Sequence, residues 1–388
     1  MEIMKEILKN KEYLFQMRRY FHQYPELSLE EFSTAQKIRS ELTGFHLPFI
    51  KVANTGTIAT VKGKKAFPVI GIRCDMDALP VQEMNETAYV SKHKGLMHAC
   101  GHDSHMAMVL TLAKILSEHR DDLDCTVKLI FQPGEEGFGG AQLVLDSGEL
   151  DDIDTIIGSH ICPFIDEGKI SVDPGPRCAS VDYMKIIIKG KSGHGGMPQY
   201  VVDPIYVGSQ VVNALQSIVS REISPLETVV ISLCTFHSGS LRNVFAQDAE
   251  LTGTIRTFNN DIQAKLPALI ERIIKHTCEA FRASYSFEYI KGDPATINNP
   301  RFSAIAAKSV EKVLSPQALE TLAPLSISED FSNMLQKIPG IYAFIGCRNE
   351  EKGCTYSLHH EKFNLYEDSM ISGCAFLLQY LLDVQYSL

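Results

Sequence analysis

None of the 388 residues falls in an apolar run longer than a single strand needs, so no segment is expected to span a membrane. The first residues, MEIMKEILKNKEYLFQMRRYFHQ, include acids and lack an apolar stretch followed by small side chains. No secretion leader is therefore expected, and the protein should be cytoplasmic. Basic charge is not in excess: 37 Lys and Arg face 47 Asp and Glu, a net charge of −10. That balance argues against a nucleic-acid or anionic-membrane partner, either of which wants a basic face. The ten cysteines have no framework spacing, so most are expected to be free thiols packed as small hydrophobes. Low-complexity tracts and internal repeats are also missing.

What is present is the patterning of an α/β protein. Residues 1–44 read as helix, with Ile7, Leu14 and Met17 at helical spacing and Ala35, Ile38 and Leu42 repeating it after Pro25. Strand-like runs follow at 57–61, 69–74 and 126–132, with a helix at 104–116 and another short apolar run at 153–159. Strands alternating with helices predict a mixed, largely parallel sheet flanked by helices. From residue 180 the order becomes β-α-β-β-α-β, the ferredoxin-like pattern, with a helix start marked by Asp203 and Pro204. The first rhythm returns after residue 295. The expectation is a catalytic α/β domain of residues 1–179 and 295–388, interrupted by an inserted ferredoxin-like α+β domain of residues 180–294.

Metal-ligand side chains recur where strands of the larger domain end. Asp75 and Asp77 follow VIGIRC, Cys100 and His102 lie in HACGHDSH before a helix, and Glu135 and Glu136 follow KLIFQ. His160 ends TIIGSH, while His359 and His360 follow TYSL. Open α/β sheets bind ligands outside the carboxyl ends of their strands. Imidazole, thiolate and carboxylate together suit zinc, manganese, cobalt or nickel, whereas calcium and magnesium prefer oxygen alone. Two such ions can share a charged ligand, and Cys100 as a thiolate would serve. Neighbours in an extended segment point in opposite directions, so Glu135 and Glu136 should divide the work of ligand and general base. Taken singly, a Cys-Gly-His, a Glu-Glu pair or a lone histidine is usually structural; here all of them would have to be so together. His22 reads as structural, and His98 and His105 flank the ligand loop.

These stretches resemble the amidohydrolase branch of the aminoacylase and succinyl-diaminopimelate desuccinylase family of metallopeptidases. The resemblance runs from RRYFHQYPELSLEE through GIRCDMDALP, MHACGHDSHMA, FQPGEEG and GSHICP to GKSGHGGMP, LTGTIRTF, SEDFS and LHHEKF. It implies a binuclear, metal-dependent amidohydrolase that cleaves N-acyl amino acids, with two divalent transition-metal ions bridged by the attacking water. Cys100, His102, Glu136, His160 and His359 match the metal ligands, Glu135 the general base, and Asp77 an acid that orients the site. His194 matches a histidine that stabilises the oxyanion, usually in the partner subunit's site, and Asn243 and Arg256 match residues that bind the substrate carboxylate. A homodimer formed through the inserted domain is also implied. At Asp75 more distant relatives carry a metal-binding histidine, which leaves its role open.

Several positions depart from the branch. Gly134 stands where alanine is common, Gln199 where histidine is, and Glu361 where proline is. Phe245, Ala246 and Gln247 replace Ile-Pro-Asp. None removes a ligand or the base, but together they bear on which acyl group is accepted. The alternatives are a dipeptidase or carboxypeptidase on the same scaffold, a non-catalytic metal- or ligand-binding protein, and a thiol hydrolase with Cys100 as nucleophile and His102 as base. The last leaves Glu135, Glu136, His160 and His359 without a task.

Overall fold

A computed structural model describes residues 1–137 and 139–388. Its contacts separate two compact units. The first comprises Met1–Gly175, Ile297–Ala323 and Asp330–Leu388; the second comprises Pro176–Thr296 and Pro324–Glu329. No described helix is long and apolar enough to cross a membrane. Nine of the ten cysteines are buried.

The first unit is built on a seven-stranded mixed sheet. In spatial order its strands are Phe49–Val52, Gly56–Lys62, Thr126–Gln132, Val69–Asp75, Thr155–Asp166, Gly340–Arg348 and Ile170–Ser171. The four central strands are parallel and the outer pairings antiparallel. Val69–Asp75 is buried along its whole length, as a strand covered on both faces must be, and its run of Val and Ile reflects that. Helix His102–Glu118 packs on this strand and on Thr155–Asp166, under helices Lys11–Gln23 and Ser369–Val384. It is therefore buried on nearly every side and apolar nearly all round.

The 1–44 region forms three helices, Ile3–Lys9, Lys11–Gln23 and Phe32–Gly44. The longest gap between them holds Pro25, which cannot donate to a helical hydrogen bond. One sequence expectation needs correction. His160 does not end its strand, because parallel pairing with Gly340–Arg348 continues beyond it and the strand runs on to Asp166.

The second unit is ferredoxin-like. Its four-stranded antiparallel sheet has the order Val229–Ser238, Asp248–Thr257, Asp182–Lys189, Ser284–Lys291. Burial alternates along Asp182–Lys189 as a sheet with one covered face requires. Val207, Val211 and Leu215 of helix Pro204–Ser217 meet Leu266, Ile270, Ile274 and Cys278 of helix Asn260–Ala280 over Ile186, Ile188 and Leu251. These helical positions recur every four residues, the spacing of one helix face.

Candidate metal centre

Cys100, His102, Glu136, His160 and His359 come from four separate passages of chain, all in the first unit. Ligand-type atoms of Cys100, His102 and His160 lie within 4.8 Å of one another, and so do those of Cys100, Glu136 and His359. His102, Glu135 and Glu136 form a third such group. Cys100 Sγ is 3.4 Å from His160 Nε2, and Glu136 Oε1 is 3.3 Å from His359 Nε2.

Local backbone explains how the loop can do this. Gly101 has φ +85°, and a Cβ there would sit 2.3 Å from Ile161 Cδ1. Only glycine admits both the left-handed conformation and the contact. Cys100 and His102 are thereby turned toward the carboxyl edge of the sheet, where His102 begins its helix. His359 is tied to the same loop by its backbone N–H, which donates to Ala99 O at 2.8 Å.

Hydrogen bonds fix which ring nitrogen each histidine can offer. His102 Nδ1 faces the Asp77 carbonyl at 2.9 Å and Asp77 Oδ1 at 3.2 Å. Both are acceptors, so Nδ1 carries a proton and Nε2 is the nitrogen left to face an ion. His160 Nδ1 likewise donates to Ile161 O at 2.6 Å, leaving Nε2 toward Cys100. His105 is set the other way: its Nε2 accepts from Ile161 N–H, and its Nδ1 donates to Asp75 Oδ1 at 2.6 Å. Its ligating lone pair is occupied, so His105 orients Asp75 rather than binding an ion.

The donor set fits divalent cations. Among the described residues His102 Nε2 and Glu136 Oε1 are buried without a hydrogen bond, though Glu136 Oε1 lies close to His359 Nε2; buried polar atoms left so are costly unless a further group meets them. Burial raises the Cys100 thiol far above its ordinary range, and the charges of Glu136, Glu135 and Asp75 add to that. Burial opposes charge on His102, yet Asp75, Asp77 and Glu136 push its pKa up to about 10. His160 is lowered well below the usual imidazole value by burial and by His105. A bound cation would displace a proton from His102 Nε2 and deprotonate the coordinating Cys100 thiol.

Behind this cluster lies a network that the sequence did not disclose. Arg73 is completely buried; its Nε donates to Gln132 Oε1, Nη1 to Asp75 Oδ2 and Nη2 to Asp330 Oδ1, at 2.8, 2.8 and 3.0 Å. Burial works against the charge of Asp75, but His102, His105 and Arg73 outweigh it and hold the carboxyl well below the usual range. Asp75 Oδ2 lies 3.8 Å from His102 Nε2. The one available signal was an arginine inside an otherwise apolar strand. A second buried group joins Arg18 and His22 to Asp103, the residue after His102. Glu135 and Glu136 occupy a turn rather than an extended segment, with Gly134 and Gly137 beside them at positive φ.

The remaining candidates belong to the second unit. His194 pairs with Val244 between two short strands, next to Asn243, whose carbonyl accepts from Gly195 N–H. His194 Nδ1 accepts from Gly196 N–H at 3.0 Å, which leaves the proton on Nε2. Arg256 lies on strand Asp248–Thr257 and donates to Ser326 O at 3.1 Å.

The chain is similar to known proteins along most of its length. The model of peptidase family M20/M25/M40 matches residues 71–383. An N-acyl-L-amino acid amidohydrolase of Geobacillus stearothermophilus is 42% identical over 301 residues, 76% of this chain and 81% of that protein. Thermostable carboxypeptidase 1 of Saccharolobus solfataricus is 36% identical over 100% of this chain and 98% of its own. Among solved structures, the Bacillus subtilis YXEP protein, described as a dinuclear metal binding peptidase from the M20 family, superposes with a TM-score of 0.87 at 32% identity. That match covers 98% of this chain and 100% of the other.

Proposed function

The chain belongs to peptidase family M20/M25/M40 and is a metal-dependent amidohydrolase with two divalent ions; from that premise we propose that it releases amino acids from N-acyl conjugates. The observation that carries the reading is the convergence of the Nε2 atoms of His102, His160 and His359 with the Cys100 thiol and a Glu136 carboxylate oxygen, beside a second glutamate. Cys100, His102, Glu136, His160 and His359 would hold the ions, which supply Lewis acidity and acidify water when bound. The donor mix favours zinc, manganese, cobalt or nickel.

Glu135 is the general base. It adjoins the ligands without being required among them, and it moves the proton from the attacking water to the leaving amine. Asp77 keeps His102 in the ligating tautomer. The resemblance supports His194 as donor to the oxyanion, a duty its protonated Nε2 suits. It also supports Asn243 and Arg256 as partners of the substrate carboxylate, which an arginine fork matches, and pairing of two chains through the inserted unit.

Replacement Glu135→Gln should lower kcat by about 10²–10⁴-fold with metal content unchanged. Retention of most of the rate would dispose of the base assignment. The likeness to a carboxypeptidase supports a second reading, peptide cleavage by the same machinery. A panel of N-acetyl, N-benzoyl and dipeptide substrates separates the two by kcat/KM.

A further inference from the structure

The segment Glu26–Glu31 lies in the N-terminal motif of the sequence, yet none of its residues has a part in the chemistry above. Glu31 within it is a fully buried carboxylate. Its Oε1 accepts from Gly134 N–H at 2.9 Å and from Leu29 N–H at 3.0 Å, and its Oε2 accepts from Thr55 Oγ1 at 2.6 Å. Two residues beyond Gly134, the N–H of Glu136 donates to Asp77 Oδ2 at 2.9 Å. That same oxygen is held by the Ser28 hydroxyl at 2.6 Å. The backbone on either side of Glu135 is therefore pinned by two buried carboxylates, one on the Glu26–Glu31 segment and the other fixed by it.

Packing repeats the arrangement. Leu29 has φ +62°, which no bulky side chain adopts without support from its surroundings. Its side chain lies against Gly134, where an added Cβ would meet Leu29 Cδ2 at 2.9 Å. Gly134 itself has φ +66°, and its carbonyl accepts from Gly140 N–H. The turn has little freedom to tilt.

We propose that Glu31 is a positioning residue for Glu135: by anchoring the Gly134 peptide it sets where the base carboxylate stands relative to the scissile carbonyl. This rests on Glu135 being the general base. A group displaced by about 1 Å can lose about 10²-fold in rate, and Glu31 acts through placement, since its carboxylate is bonded to Gly134 N–H, Leu29 N–H and the Thr55 hydroxyl.

The test compares Glu31→Ala, Glu31→Asp and Glu31→Gln with Glu135→Gln, all as metal-loaded full chains. Glutamine keeps an oxygen for both N–H donors, and its amide donates to Thr55 Oγ1; aspartate keeps the charge but stops short of Gly134. The expected result is a kcat loss of about 10–100-fold for Glu31→Ala and Glu31→Asp. KM should stay within about twofold, the acid limb of the kcat–pH profile should move, and Glu31→Gln should restore activity to within about threefold of wild type. Two metal equivalents should remain by elemental analysis, and amide exchange should quicken in the peptide containing residues 133–137. If Glu31→Ala does not fold, Glu31→Asp carries the comparison. Wild-type kcat in Glu31→Asp overturns the proposal, as does equal loss in the Gln and Asp variants, or loss of metal in step with kcat. An active Glu135→Gln instead overturns the base assignment beneath it.

Discussion

Replacement of Arg18 by methionine probes the buried charge group behind the ligand loop. Its guanidinium is 1% exposed. Nε donates to Asp103 Oδ2 at 3.1 Å, Nη1 to the Tyr89 hydroxyl at 3.1 Å, and Nη2 to Asn364 Oδ1 at 2.7 Å; Nη1 also lies 3.2 Å from Glu367. Methionine fills much of the space but takes the permanent positive charge from beside buried Asp103, leaving it to the imidazoles of His22 and His98. Removing one partner of a buried pair costs about 3–5 kcal/mol, because the other charge is left uncompensated. For domains of about 150–250 residues each kcal/mol moves the melting midpoint by roughly 2–4 °C, so the first unit should melt about 6–20 °C lower. Calorimetry at saturating metal measures this, since metal binding itself shifts the midpoint. A loss below about 1 kcal/mol is what an exposed pair contributes, and it would refute the argument that this group is sealed and interdependent.

Two further outcomes are expected. Burial alone would discharge His22, but Asp103 and Glu83 beside it raise its pKa above the usual value. Its stabilising contribution is therefore complete below about pH 6.5 and lost as pH rises through the raised folded-state value. The melting gap between wild type and His22→Gln should narrow from pH 6 upward, and a gap that widens would contradict this. Chelation should abolish turnover and lower the midpoint, because a ligand at 100 times its Kd stabilises by about 2.7 kcal/mol. Cys100→Ser should release its ions to the chelator faster than wild type, and a chelator that leaves the wild-type midpoint unmoved would count against the ligand set.

Local signals made much of the fold legible. Thr126–Gln132 was bounded by its own apolar run, and Asp203 before Pro204 marked a helix start, where its side chain accepts from Ile205 N–H. The ferredoxin-like order followed from alternation of periods alone. The extent of the His160 strand was not legible, since its partner Gly340–Arg348 lies far along the chain. Candidate ligands stood out because each lies in or just after a short recognisable run, although His160 falls inside its strand rather than at its end. The groups that hold the donors did not: Arg73 meets Asp330 across 257 residues and Arg18 meets Asn364 across 346, distances over which no periodicity carries information.

The place of Gly340–Arg348 in its sheet bears on how the protein is made. It is wedged between Thr155–Asp166 and Ile170–Ser171, so during synthesis a long apolar strand waits with a bare flank while the whole inserted unit emerges. Such unpaired flanks invite pairing between molecules, and contacts so distant in sequence form slowly. The inserted unit has a core of its own and local pairings, and it can complete itself first. Nascent chains arrested before residue 340 should consequently be the most aggregation-prone form of this polypeptide and the form most dependent on chaperones.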